Sequence, residues 1–137
     1  MNDDEDPSPA PMTRSWRPAP ARSEVTGRLD AEGVTLEAAD GSVIWALPFS
    51  DVTAVRFVRH AMGAQAMVRL EMTTRGGEPR RLEINQPAGA PGTPLDDFMA
   101  FALATLAALA RYDPELPFQR GERGGTGTVL FVLGVAV

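Results

Sequence analysis

The sequence predicts a mainly β, antiparallel domain closed by a single C-terminal helix. Short segments of alternating apolar residues run from Ser23 to Ile84, and glycine-bearing turns separate them. One long apolar stretch with capping signals at both ends follows, from Thr93 to Arg111. At 137 residues the chain is long enough for one core and too short for two.

In "EVTGRLD" Val25 and Leu29 share a face, and in "VTLEA" Val34, Leu36 and Ala38 do the same, with the tight turn Asp30-Ala31-Glu32-Gly33 between them. Asp40-Gly41 favours the positive backbone angles of a two-residue turn. The next strand, "SVIWALPF", is predicted to turn Val43, Trp45 and Leu47 the same way. "DVTAVRFVRH", residues 51–60, is rich in β-branched residues, with Val55 and Phe57 opposed to Arg56 and Val58. After "AMGAQ" comes the clearest period of two in the chain, in which Val68, Leu70 and Met72 alternate with Met67, Arg69, Glu71 and Thr73. The Gly76-Gly77 turn leads to "RRLEI", where Leu82 and Ile84 point inward. Six antiparallel strands in a meander follow from this reading, joined by connections too short for parallel crossovers.

"NQPAGAPGT" breaks the pattern, and the helix begins. Thr93 suits the cap, Pro94 the first helical position, and Asp96 the positive end of the helix dipole. From Phe98 to Ala110 the only polar residue is Thr105. Arg111 stands at the negative end, and Asp113-Pro114 terminates the helix. The run is shorter than the ~20 apolar residues a membrane span requires. Phe98, Phe101, Leu106 and Leu109 form one broad side, with Leu95, Met99 and Leu103 beside them, an arc wider than a surface stripe. One side is expected to cover the sheet. The remainder, including Met99 and Leu103, is expected to meet another surface.

With strands and helix in this order, "LPFSDVTAVRFVR", "RLEMTTRGGEPRRLEI" and "LDDFMAFALATLAALARYDPELPFQRG" resemble bacterial pleckstrin-homology-like (PH-like) domains of membrane-associated proteins. The resemblance covers residues 23–121 and puts the domain at 23–119. It implies an antiparallel, six- to seven-stranded curled sheet or barrel capped by one C-terminal helix. The fold has seven strands before its helix, so the seventh is expected from the N-terminal arm or the C-terminal tail. The resemblance further implies a binding or assembly scaffold, with no catalytic residues to carry over. Phosphoinositide-binding members are basic around the first hairpin loop, whereas Asp30 and Glu32 make this loop acidic and repel an inositol phosphate. No phosphoinositide is expected.

Residues 1–22 hold Pro7, Pro9, Pro11, Pro18 and Pro20 beside the acid cluster Asp3, Asp4, Glu5 and Asp6, and read as a disordered arm. Trp16 stands out within it, as a docking anchor or a strand-edge contact, and docking onto the chain's own domain is the favoured reading. The acid cluster accounts for most of the net charge of −5, because the rest of the chain sets 14 acids against 13 bases. A folded part without excess positive charge is a poor nucleic-acid binder. All 13 bases are arginine, which removes lysine Schiff-base chemistry, and the lack of cysteine removes thiolate nucleophiles, disulfides and zinc–thiolate sites. The start of the chain lacks the basic residues and apolar run of a secretory signal.

No constellation points to a reaction, and neither cofactor nor metal is expected. His60, the only histidine, falls at a strand end beside a glycine loop, where a polar ring ordinarily faces water. Ser42 and Ser50 lack the strained turn of a serine nucleophile. Asp96 and Asp97, adjacent on a helix, point to different sides and serve the dipole better than a metal. Gly76-Gly77 and "RGGTGT" lack the lysine and helix of a phosphate loop. Arg56, Arg59, Arg75, Arg80 and Arg81 would form an anion-binding patch if the strands brought them together, and otherwise are charges that protect sheet edges.

The end of the chain, residues 120–137, reads as a Gly-rich linker and an apolar tail. "TVLFVLGVAV", Thr128 to Val137, carries no charge, and Arg120 and Arg123 flank it as positive residues flank the cytoplasmic end of a membrane segment. The favoured reading is the first half of a transmembrane helix, with Leu130, Phe131 and Leu133 in contact with membrane. A strand completing the sheet and a self-association patch are the alternatives. The functional expectation is a non-catalytic PH-like module at the cytoplasmic face of the bacterial inner membrane. The alternatives are a soluble homo-oligomer that uses the helix and tail, located in the cytoplasm, or a small barrel that holds an apolar ligand.

Overall fold

The computed structural model describes residues 11–87, 93–120 and 128–130. These residues fold as two β-sheets and one helix in the C-terminal part of the chain. The first sheet is an antiparallel meander of β1 (Met12–Trp16), β2 (Val25–Leu29), β3 (Gly33–Glu37) and β4 (Val43–Pro48). A 3-10 turn, Phe49–Asp51, leads into the second sheet, made of β5 (Val52–Met62), β6 (Gln65–Thr74) and β7 (Pro79–Pro87). Helix α1 (Thr93–Tyr112) follows, then β8 (Pro117–Arg120) and β9 (Thr128–Leu130). The second sheet runs β7-β6-β5-β8-β9.

Alternation along the strands builds the core. Leu29, Val34, Leu36 and Leu47 line the inner side of the first sheet, and Val55, Val68, Leu70, Met72, Leu82 and Ile84 that of the second. A bulge between Val52 and Ala54 inserts one residue, so that Val52 and Val55, three positions apart, both reach the core. α1 lies against β1, β2 and β7 and buries Phe98, Phe101, Ala102, Thr105 and Leu109. On β2 the Phe101 ring rests on Gly27: a Cβ there would fall 2.6 Å from Phe101 Cε2. Only glycine lets the helix come so near. Thr105, the one buried polar side chain among the described residues, donates its hydroxyl to the Phe101 carbonyl at 2.9 Å, so its burial leaves no unmade bond.

The outer side of the turn after β3 is fixed electrostatically. The Asp40 carboxylate accepts the Ser42 hydroxyl at 2.6 Å and the Ser42 N–H at 2.9 Å, and these bonds hold its pKa below the ordinary 3.8. The contribution is present above that ordinary value and disappears as pH falls through the lower folded value.

Several expectations change. The sheet does not close into a barrel of six or seven strands; it divides into sheets of four and five. Residues 12–16, assigned above to the disordered arm, form β1 and pair along their whole length with β2. Five prolines obscured them, since proline content argues against order only where nothing apolar anchors the chain. Here Trp16 does, at 2% exposure. Val43 does not share the inner face with Trp45 and Leu47. The register shifts after Leu36, and both Val43 (58%) and Ile44 (52%) are exposed. Val58, placed with Arg56 opposite the core face, is buried all the same, while Phe57 is half-buried against the core. Finally, β8 pairs with β5 in parallel, Val55 with Phe118 and Phe57 with Arg120, although the meander had left no room for a parallel pair. The helix is the crossover that brings the chain back.

The tail differs as well. Thr128–Leu130 pairs antiparallel with β8 as a strand, Phe118 opposite Val129, where the favoured reading had the start of a membrane helix. The outer edge of β8 offers these residues main-chain partners, and a β-branched stretch suits them. Among the described residues no helix is long and apolar enough to cross a membrane. Phe131 and Leu133 lie outside the described residues.

Candidate binding surfaces

The second sheet places its arginines by parity. β5, β6 and β7 stand side by side with Arg56 opposite Glu71 and Glu71 opposite Arg81, all on the side away from the core. Glu71 thereby receives two guanidinium groups, Arg81 Nε at 2.9 Å and Arg56 Nε at 3.9 Å. One step along, Arg69 Nε meets Glu83 at 2.9 Å. This ladder alternates in sign and satisfies itself, so it is a cross-strand stabiliser of a solvated face, each pair contributing about 0.2–1 kcal/mol.

The other arginines lie elsewhere. Arg59 is exposed toward the far end of β5, beside a depression of about 230 Å³ that Met67, Ile84, Gln86 and Leu95 also line. His60 borders the same depression. Arg75 donates its Nε to the Ser50 carbonyl at 3.0 Å, and its N–H to the Asp51 carbonyl at 2.9 Å, which ties the β6–β7 turn to the 3-10 turn. Arg80 points to the opposite side of β7 from Arg81 and contacts Glu78 at 3.3 Å. The five arginines therefore form no single patch: Arg56 and Arg81 share one carboxylate, and Arg59, Arg75 and Arg80 stand apart. Successive residues on a strand face opposite ways, so the neighbours Arg80 and Arg81 already carried this signal in the sequence.

Arg80 instead borders the larger cavity, a groove of about 340 Å³ between the start of β7 and one end of the first sheet. Its floor is apolar, with Val25, Leu36 and Trp45, and Arg22 stands at its rim with Arg80. Sequence reasoning missed it, because its walls come from segments far apart in the chain.

The chain matches no family model and no curated protein.

The helix supplies the other surface. Its buried stripe leaves Leu103 53% exposed, with Ala107 also exposed and Ala100 and Ala104 half-buried. Met99, paired with Leu103 in the sequence reading, is half-buried against the core and forms the border of this face. At the last turn Tyr112 is 56% exposed while its ring still lies 5.9 Å from that of Phe49. No charged side chain interrupts the face between Phe98 and Ala110.

Proposed function

We propose that the protein is a non-catalytic, PH-like assembly module that docks through the outer face of α1, and that the surface it meets is a second copy of the chain. The supporting observation is the uncharged helix face centred on the exposed Leu103. The PH-like reading draws support from the order of elements: among the described residues, counting β1, seven antiparallel strands in groups of four and three precede one helix.

Charge favours a second copy over an anionic lipid surface. Helices that lie on such membranes are rich in basic residues on the polar face, whereas α1 carries Asp96 and Asp97 at its start and one arginine, Arg111, in its last turn. A two-fold axis through the middle of the face, near Leu103, sets two copies of α1 antiparallel. The acidic first turn of each then meets the basic last turn of the other, an isologous and self-complementary arrangement.

Sedimentation equilibrium of the full chain tests this, with Leu103→Glu as the variant. The expected result is a dimer whose dissociation constant rises at least about a hundredfold in the variant, since a buried unpaired carboxylate costs several kcal/mol. Unchanged circular dichroism in the variant excludes unfolding as the cause. A wild-type chain that sediments as a monomer at about 1 mM overturns the reading.

One observation favours a second reading, a module beside the cytoplasmic face of a membrane: the uncharged run from Thr128 to Val137 after Arg120 and Arg123. Retention of the full chain in the membrane pellet after an alkaline wash supports it, and full release in the wash counts against it.

A further inference from the structure

We propose that the groove between β7 and the first sheet takes up an extended, acidic segment of a partner protein by adding it as a strand to the open half of the β7 edge. This surface is distinct from the helix face.

β7 is the outermost strand of its sheet. Along an antiparallel strand the N–H and C=O of one residue point to the same side, and the side alternates from residue to residue. The Glu83 carbonyl accepts the Trp16 indole N–H at 3.1 Å, and the Asn85 N–H donates to the Pro18 carbonyl at 2.7 Å. Glu83 and Asn85 therefore point away from β6, and by alternation Pro79, Arg81 and Pro87 do too. Proline has no N–H to give, and both prolines of β7 sit at positions where none is needed toward β6. Residues 16–18 thus cover the second half of the edge. The first half remains open: among the described residues no main-chain group bonds the outward C=O of Pro79, the N–H and C=O of Arg81, or the N–H of Glu83.

The groove lies against this open half. All five residues Pro79 to Glu83 line it, which side chains alone would not achieve, since alternate ones face opposite sides; the strand presents its edge. Ile44 and Trp45, which also line the groove, belong to β4, itself an outer strand of the first sheet. About 340 Å³ is the lower end of ligand-pocket volumes and fits a few side chains rather than a cofactor. The half-buried Trp45 is a flat apolar surface for one of them.

Charge selects the occupant. Arg81 is held by Glu71 and Glu83 by Arg69, each at 2.9 Å. That leaves Arg22 and Arg80 to set the sign of the groove, and among the described residues the only acid paired with Arg80 is the well-exposed Glu78. An extended peptide with alternating carboxylate and apolar side chains satisfies edge, floor and rim together.

The test is fluorescence anisotropy of the full chain with a labelled octapeptide alternating valine and glutamate. The proposal expects saturable binding in the micromolar range, about tenfold or more weaker for the valine–lysine peptide and for the Arg22→Glu, Arg80→Glu double variant, both changes being at exposed or half-exposed positions. N-methylation of alternate peptide amides should abolish binding in one register and spare it in the other, a signature of strand pairing that ordinary charge attraction lacks. Absence of saturation at about 1 mM, equal binding of the two peptides, or indifference to both methylation registers overturns the proposal. So does binding that appears only when Asp3, Asp4, Glu5 and Asp6 are replaced by their amides, which assigns the groove to the chain's own arm. Binding weakened in proportion to self-association assigns it to a second copy, with the same consequence.

Discussion

Replacing Trp16 by alanine is expected to cost about 3–5 kcal/mol of folding stability, measured by urea denaturation followed by circular dichroism. Trp16 comes from the strand nearest the N-terminus, yet it lies where β1, β7 and α1 meet. Its ring meets Phe98 edge-on with centroids 5.2 Å apart and Phe101 at 5.7 Å. Its indole N–H satisfies the Glu83 carbonyl. Removal leaves a cavity under the helix, withdraws two aromatic contacts and strips a main-chain carbonyl of its donor. Trp16→Phe should recover most of the packing and leave a deficit of about 1–2 kcal/mol from the unpaired carbonyl. A loss below about 1 kcal/mol for Trp16→Ala would mean that β1 and the helix are held by something other than this ring.

Gly33→Ala is the second large effect, with an expected loss of about 3 kcal/mol or more, read from the same unfolding transition. The Cβ would press against the Leu47 carbonyl oxygen and stand 2.9 Å from the Pro48 Cα. These are backbone atoms of the adjacent strand, in register with Gly33 and Val34, and a side chain's freedom to rotate away is absent. Relief requires β3 and β4 to part, and with them the Phe49 N–H to Glu32 carbonyl bond of 2.9 Å that starts the connection to the second sheet. Gly41→Ala is the control. Nothing lies within 4 Å of its Cβ position, and the cost, about 1 kcal/mol, comes only from a φ of +91°. If Gly41→Ala proves more damaging than Gly33→Ala, close packing between β3 and β4 is not what glycine provides at position 33.

The contrast between these two glycines also marks what the sequence made legible. Gly41 follows Asp40 in a turn, and local chemistry announces it. The demand on Gly33 comes from Leu47 and Pro48 across the ladder, which no local pattern carries. The same division holds for the elements. The strands from Val25 to Ile84 and the helix from Thr93 follow from period and caps, because each is set within its own segment. β1 was hidden by the prolines around it, since its order depends on Trp16 reaching Phe98 and Phe101. β8 was hidden because its partner, β5, is remote in the chain. The candidate surfaces divide likewise: the exposed Leu103 follows from helical periodicity, while the groove exists only once Trp45, Leu36 and β7 are brought together.

The parallel pairing of β8 with β5 has a consequence for biosynthesis. Val55 emerges from the ribosome long before Phe118, its eventual neighbour, and β6, β7 and all of α1 must be translated in between. Until then one flank of β5, a long β-branched strand, has its hydrogen-bonding groups unclaimed in the crowded interior of the cell. Nascent chains are most exposed to mispairing with one another during that interval, and slowed translation across the helix codons should increase the yield of aggregates.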